Sequence, residues 1–326
     1  MPRTLLFLGA FLLGSSLTSA QIGPTGGRDT SFTVRKSFIQ EKKKQPNITL
    51  ADSTLPLGVR VTRNLPYSTP TPGRSLLLDV YAPPQSRTRQ HPAVLMIHGG
   101  GWRSGDRSHN NTMAGRLAEW GFVAIPVEYR LSTEALYPAS VHDVKAAIRW
   151  MRANAKRYQI DPNRIAVLGF SSGGQLAALI GSTNDKPLFE GMGGHPNQSS
   201  RVQAVVDIDG ILAFIHLESG EGNDTRSTSA ATYWFGYSKT EKPELWNEAS
   251  ALHQAGLTTP PMLFLNSSVE RMHAGRDDLM KKLNGFGVYT EVHTFADAPH
   301  TFLFFEPWFT PTLNYITGFL NQTLKK

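Results

Sequence analysis

Cysteine is absent from the 326 residues. That excludes disulfides, thiolate nucleophiles and cysteine-ligated metals. No apolar run is long enough to span a bilayer, since the longest one near the start, Leu5 to Leu13, falls well short of a spanning helix. Basic residues exceed acidic ones by 33 to 26, a net charge of +7, but apart from Lys42-Lys43-Lys44 they are scattered. With no arginine stripe, zinc-finger spacing or RNA-binding aromatic box, the excess points away from a nucleic-acid partner. It stays compatible with an acidic polymer. The hydrophobic share of 40% is ample for a buried core held by packing alone.

Pro2-Arg3, the short apolar run and the small residues Thr18 and Ala20 have the form of an export signal over residues 1–20, cleaved after Ala20. A secreted or periplasmic location and no membrane span after signal removal are the expectations. Asn47-Ile48-Thr49 and Asn321-Gln322-Thr323 have the glycan-acceptor form, which matters only in a glycosylating host. Residues 21–55 are polar and aperiodic and predict a flexible N-terminal arm. From residue 56 to 326 short apolar runs alternate with helical patterns, predicting one α/β domain with a mostly parallel central sheet flanked by helices. Strands are expected at Val59 to Arg63, Ser75 to Tyr81, Ala93 to Ile97, Phe122 to Val127, Arg164 to Leu168, Val202 to Ile208, Pro261 to Leu265 and Val288 to Phe295. A helix is expected over Ser140 to Tyr158, a turn at Asp161-Pro162-Asn163, and a small cap-like insertion at about 212–252.

Two motifs carry chemistry. Gly169-Phe170-Ser171-Ser172-Gly173 is a G-x-S-x-G between an apolar strand and a helix-forming run. The sharp turn this requires lifts a serine hydroxyl above the sheet and tolerates only small neighbours. Ser171 is therefore the candidate nucleophile. His98-Gly99-Gly100-Gly101-Trp102 follows another strand, and its glycines let bare amides approach a developing oxyanion. Gly100, Gly101 and Ser172 are the expected donors. The base should follow the last strand, where Ala298-Pro299-His300-Thr301-Phe302 places His300; His293 and His273 fit that position less well. Nothing in this chemistry calls for a metal or cofactor.

Together these motifs resemble the α/β-hydrolase superfamily, in the branch of hormone-sensitive-lipase-like, acetyl-xylan and feruloyl esterases. Val127-Glu128-Tyr129-Arg130-Leu131, Asp143, Trp150 and Asp161-Pro162-Asn163-Arg164-Ile165 fit the same pattern. Asp207-Ile208-Asp209-Gly210 and the stretch from Ser267 to Asp278 resemble a bacterial subgroup of polysaccharide esterases that includes pectin esterases. The resemblance implies an α/β-hydrolase fold and a serine carboxylesterase acting on acetyl, feruloyl or methyl esters of plant cell-wall polysaccharide. It leaves the triad acid open. Asp277 matches an acidic position of the subgroup and is the first choice, with Glu270 and Asp209 as alternatives. Trp102, Arg271, His273 and Arg276 are candidate substrate contacts, the basic ones for a uronate carboxylate. Thr232-Tyr233-Trp234-Phe235 could stack a sugar or fill a small cap core. A serine peptidase or amidase of the same fold, and a catalytically inactive carbohydrate-binding protein, are the rival readings.

Overall fold

The computed structural model describes residues 23–84 and 90–325; the expected signal segment lies outside them. Eight strands form one sheet: β1 (Arg60–Thr71), β2 (Arg74–Ala82), β3 (His91–Ile97), β4 (Val123–Val127), β5 (Ile160–Phe170), β6 (Ala204–Ile208), β7 (Met262–Asn266) and β8 (Thr290–Thr294). Their spatial order is β1-β2-β4-β3-β5-β6-β7-β8. β1 and β2 form an antiparallel hairpin at one edge, β2 meets β4 antiparallel, and every later pairing is parallel. This is the α/β-hydrolase fold.

All residues of β3, β4, β6 and β7 are buried, as unbroken apolar runs demand of strands covered on both faces. One face carries α3 (Ala139–Ala153) and α4 (Ser172–Ser182), whose Val144, Ile148, Leu176 and Ile180 pack against Leu95 and Val167. The other carries α2 (Asn111–Glu119) and α7 (Phe309–Leu324), with Leu117, Ile316 and Leu320 against Met96 and Val206. The expected turn at Asp161-Pro162-Asn163 exists, with the Asn163 amide donating to Asp161 Oδ1 at 2.9 Å. It lies inside β5 as an irregularity, because pairing jumps from His91↔Ile160 to Ala93↔Ile165. The helix expected to Tyr158 stops at Ala153 and a separate turn follows at Ala155–Tyr158.

Residues 23–55 are not a detached arm. They contain α1 (Val34–Lys42), capped by Thr33, and a two-residue strand, Thr49–Leu50, paired with Phe305–Glu306. Phe32, Val34 and Phe38 pack against the core. Arg28 reaches Glu128 at 3.0 Å. The polar composition of the segment hid these few apolar side chains, which close against the body.

Candidate active site

The turn between β5 and α4 holds Ser171 at φ 55° and ψ −122°, a backbone state costing on the order of 1–3 kcal/mol for a non-glycine residue. Its amide donates to Ile208 O at 2.8 Å, and its carbonyl accepts from Gln175 N at 2.9 Å. The flanking glycines are obligatory. A Cβ at position 169 would stand 1.9 Å from Gly173 O, and one at 173 would stand 2.3 Å from Ile97 O.

His300 enters from the loop after β8. Its Nε2 lies 3.0 Å from Ser171 Oγ, and Nδ1 lies 2.8 Å from Asp209 Oδ2. The ring leans on Phe170 at 4.9 Å between centroids. Asp209 Oδ1 accepts the Ser267 amide at 2.8 Å, so both oxygens of this fully buried carboxylate are committed. Asp209 follows β6 directly, and its φ of 51° turns the side chain toward the imidazole. The acid beside His300 is therefore Asp209, not Asp277. Asp277 lies exposed in the first turn of α6 (Arg276–Gly285), bonded to Arg276 Nε at 2.8 Å. The alternative Glu270 is exposed on the turn Glu270–His273.

Asp207, two residues before Asp209, is also fully buried. Burial, and then the Asp209 charge, hold its carboxyl well above the ordinary range. The pair of acids in Asp207-Ile208-Asp209-Gly210 was the one signal in the sequence for this arrangement.

Gly100, at φ 128°, admits no side chain, because a Cβ there would be 2.1 Å from Ser104 O. The amides of Gly100, Gly101 and Ser172 donate to no protein acceptor among the described residues. The N-terminal segment braces this turn: Gly105 N donates to Asp29 O at 3.2 Å, and Phe32 N donates to Ser104 Oγ at 2.9 Å.

A cavity of about 210 Å³ covers Ser171 and His300, lined also by Gly101, Trp102, Ser172, Ile211, Glu221, Ala230, Arg271 and Met272. A larger cleft of about 1050 Å³ between α1 and the body includes neither Ser171 nor His300. Of the basic residues expected near substrate, only Arg271 lines the catalytic cavity. Arg276 is held by Asn266 Oδ1 at 2.7 Å and by Asp277, and His273 is half-buried off the cavity wall. Ile211, Glu221, Ala230 and Met272 carried no sequence signal, because three separate segments, the chain after β6, the insertion and the turn Glu270–His273, bring them over Ser171 only in the fold.

Trp234 and Phe235, on α5 (Ala230–Phe235), are buried and form the cap core, so neither can stack a sugar. Trp234 stacks on Trp102 at 4.9 Å and 11°, and Trp102 Nε1 donates to Gln175 Oε1 at 2.9 Å. Trp102 thus lines the cavity as a locked wall.

His98 is fully buried and stacked on Tyr129 at 4.5 Å. Burial lowers its pKa to about 3. The unfolded chain then binds the proton first, so this contribution to stability is lost as pH falls from about 6.5 toward 3. The urea midpoint should drop across that window, and less steeply in His98→Gln; equal slopes would contradict the assignment.

The BD-FAE family model matches residues 78–273, more than half of the chain. The chain belongs to the BD-FAE family. Among curated proteins, Esterase LipC of Mycobacterium tuberculosis is 30% identical over 201 residues, covering 59% of this chain and 47% of that protein. The residues matched by the family model include Gly100, Gly101, Ser171 and Asp209, and the chain spans about half the length of that relative. Two solved structures share the fold. A truncated carbohydrate esterase from gut microbiota has a TM-score of 0.67 at 24% identity, covering 85% of this chain and 99% of that one. A thermophilic esterase of Thermogutta terrifontis has a TM-score of 0.65 at 23% identity, covering 82% and 94%. No helix among the described residues is long and apolar enough to cross a membrane.

Proposed function

We propose that this BD-FAE member is an exported serine carboxylesterase that removes acyl or methyl esters from plant cell-wall polysaccharide. The observation that carries the chemistry is the unbroken line from Ser171 Oγ to His300 at 3.0 Å and from His300 to Asp209 at 2.8 Å. In this reading Ser171 attacks the ester carbonyl while His300 Nε2 takes its proton. Asp209 fixes the imidazole tautomer and stabilises the imidazolium. The amides of Gly100, Gly101 and Ser172 receive the oxyanion. His300 then protonates the departing alcohol, and water, deprotonated by the same nitrogen, releases the acid and restores Ser171.

The esterase and carbohydrate-esterase names of its relatives support the substrate class, and the signal-like residues 1–20 support export. A carbohydrate-binding protein without catalysis has no use for a serine held in a strained turn against a histidine. The test is parallel hydrolysis of acetylated xylan, feruloylated arabinoxylan and methylated pectin, together with fluorophosphonate labelling of Ser171. Labelling with release of acid or methanol from one polymer is the expected result. Turnover of aryl acetates with none of any polysaccharide would remove the polymer from the reading, and absence of labelling would remove the esterase.

A further inference from the structure

The cavity over Ser171 carries two charged side chains that the triad does not use, Glu221 and Arg271. Glu221 Oε2 accepts the Ala231 amide at 3.0 Å, which fixes the carboxylate at the first turn of α5. Its Oε1 meets no protein donor among the described residues. The Arg271 stem runs along the segment before Glu221, since a Cβ at Gly220 would lie 3.3 Å from Arg271 Cδ. Yet no salt bridge joins the two, and among the described residues Arg271 pairs with no carboxylate.

An anion and a cation on adjoining parts of one cavity wall, each with free hydrogen-bonding capacity, suit a neutral group that both donates and accepts. Neighbouring sugar hydroxyls do this: one donates to Glu221 Oε1, and the oxygen of another accepts from Arg271. Charge-assisted bonds of this kind are the stronger class. A simple alkyl alcohol would leave both charges unanswered, and a uronate carboxylate would face the Glu221 charge. Resting on the ester-hydrolase reading above, we propose that Glu221 and Arg271 are specificity residues selecting esters of neutral sugars over esters of uronates or simple alcohols.

The test compares the full chain with Glu221→Gln and Arg271→Ala on acetylated xylobiose, acetylated digalacturonate and p-nitrophenyl acetate. In Glu221→Gln the amide oxygen can keep the Ala231 bond, which turns an NH₂ donor toward the place of the acceptor. We expect kcat/KM on acetylated xylobiose to fall about ten- to a hundred-fold, mainly through KM, with a clearly smaller loss on p-nitrophenyl acetate. Arg271→Ala should act in the same direction; its exposed guanidinium has no ion-pair partner among the described residues, so folding is not at stake. Equal losses on sugar and aryl esters, or a wild-type preference for the galacturonate, overturns the inference. Hydrolysis of p-nitrophenyl acetate without any sugar ester overturns it alone. No hydrolysis of any ester and no fluorophosphonate labelling overturns the ester-hydrolase reading with it.

Discussion

Ser171→Ala is expected to lower kcat on any accepted ester by about a million-fold, the scale on which serine hydrolases lose turnover with their nucleophile. Alanine fits the space and leaves the Ser171 amide bond to Ile208 O and the carbonyl bond from Gln175 N in place, so the fold should be unchanged by circular dichroism. Residual rate would come from substrate binding and from the amides of Gly100, Gly101 and Ser172. It should be insensitive to fluorophosphonate, because no serine remains at the focus of His300. A variant retaining more than a hundredth of wild-type turnover would mean that the 3.0 Å contact between Ser171 and His300 is not where the chemistry happens.

Asp209→Asn should cost about ten thousand-fold in kcat, by analogy with removal of the triad carboxylate elsewhere. Asparagine keeps the volume but can present NH₂ to His300 Nδ1. That stabilises the tautomer with the proton on Nε2, which cannot accept from Ser171. The buried site also loses the charge that stabilises the imidazolium. Asp277→Asn and Glu270→Gln should stay within about two-fold of wild type, as exposed charges with no hydrogen bond to His300. Kinetics of the three variants on one ester decide the matter. If Asp277→Asn alone collapsed turnover, the hydrogen bonds to Asp209 would not be those of the working enzyme.

The contrast between these acids shows how far the sequence could be read. Ser171 and the glycines around it were legible because a strand-to-helix turn imposes local steric limits that few residues meet. His300 was legible from chain order and from the loop after the last strand. The acid was not, because a carboxylate needs only to reach Nδ1, and three carboxylates on two segments of suitable chain order were on offer. What singles out Asp209 is the parallel pairing of β6 with β5 and β7, which sets the end of β6 beside the nucleophile turn. The N-terminal segment misled for a related reason. Its charged residues looked like those of a solvated tether, and only the body supplies the surface that Phe32, Val34 and Phe38 cover.

The sequence by itself determined the α/β layering, the strained serine turn at Ser171, the loop that carries His300 and the amide-bearing glycine turn, since each is written locally along the chain, as periodicity, as chain order or as an obligatory glycine. Tertiary structure alone decided which acid meets the imidazole, that Trp234 is cap core rather than a sugar platform, and that Glu221 shares the cavity with Arg271. Those are matters of which distant segments touch, and contact across the fold leaves no period or spacing in the chain.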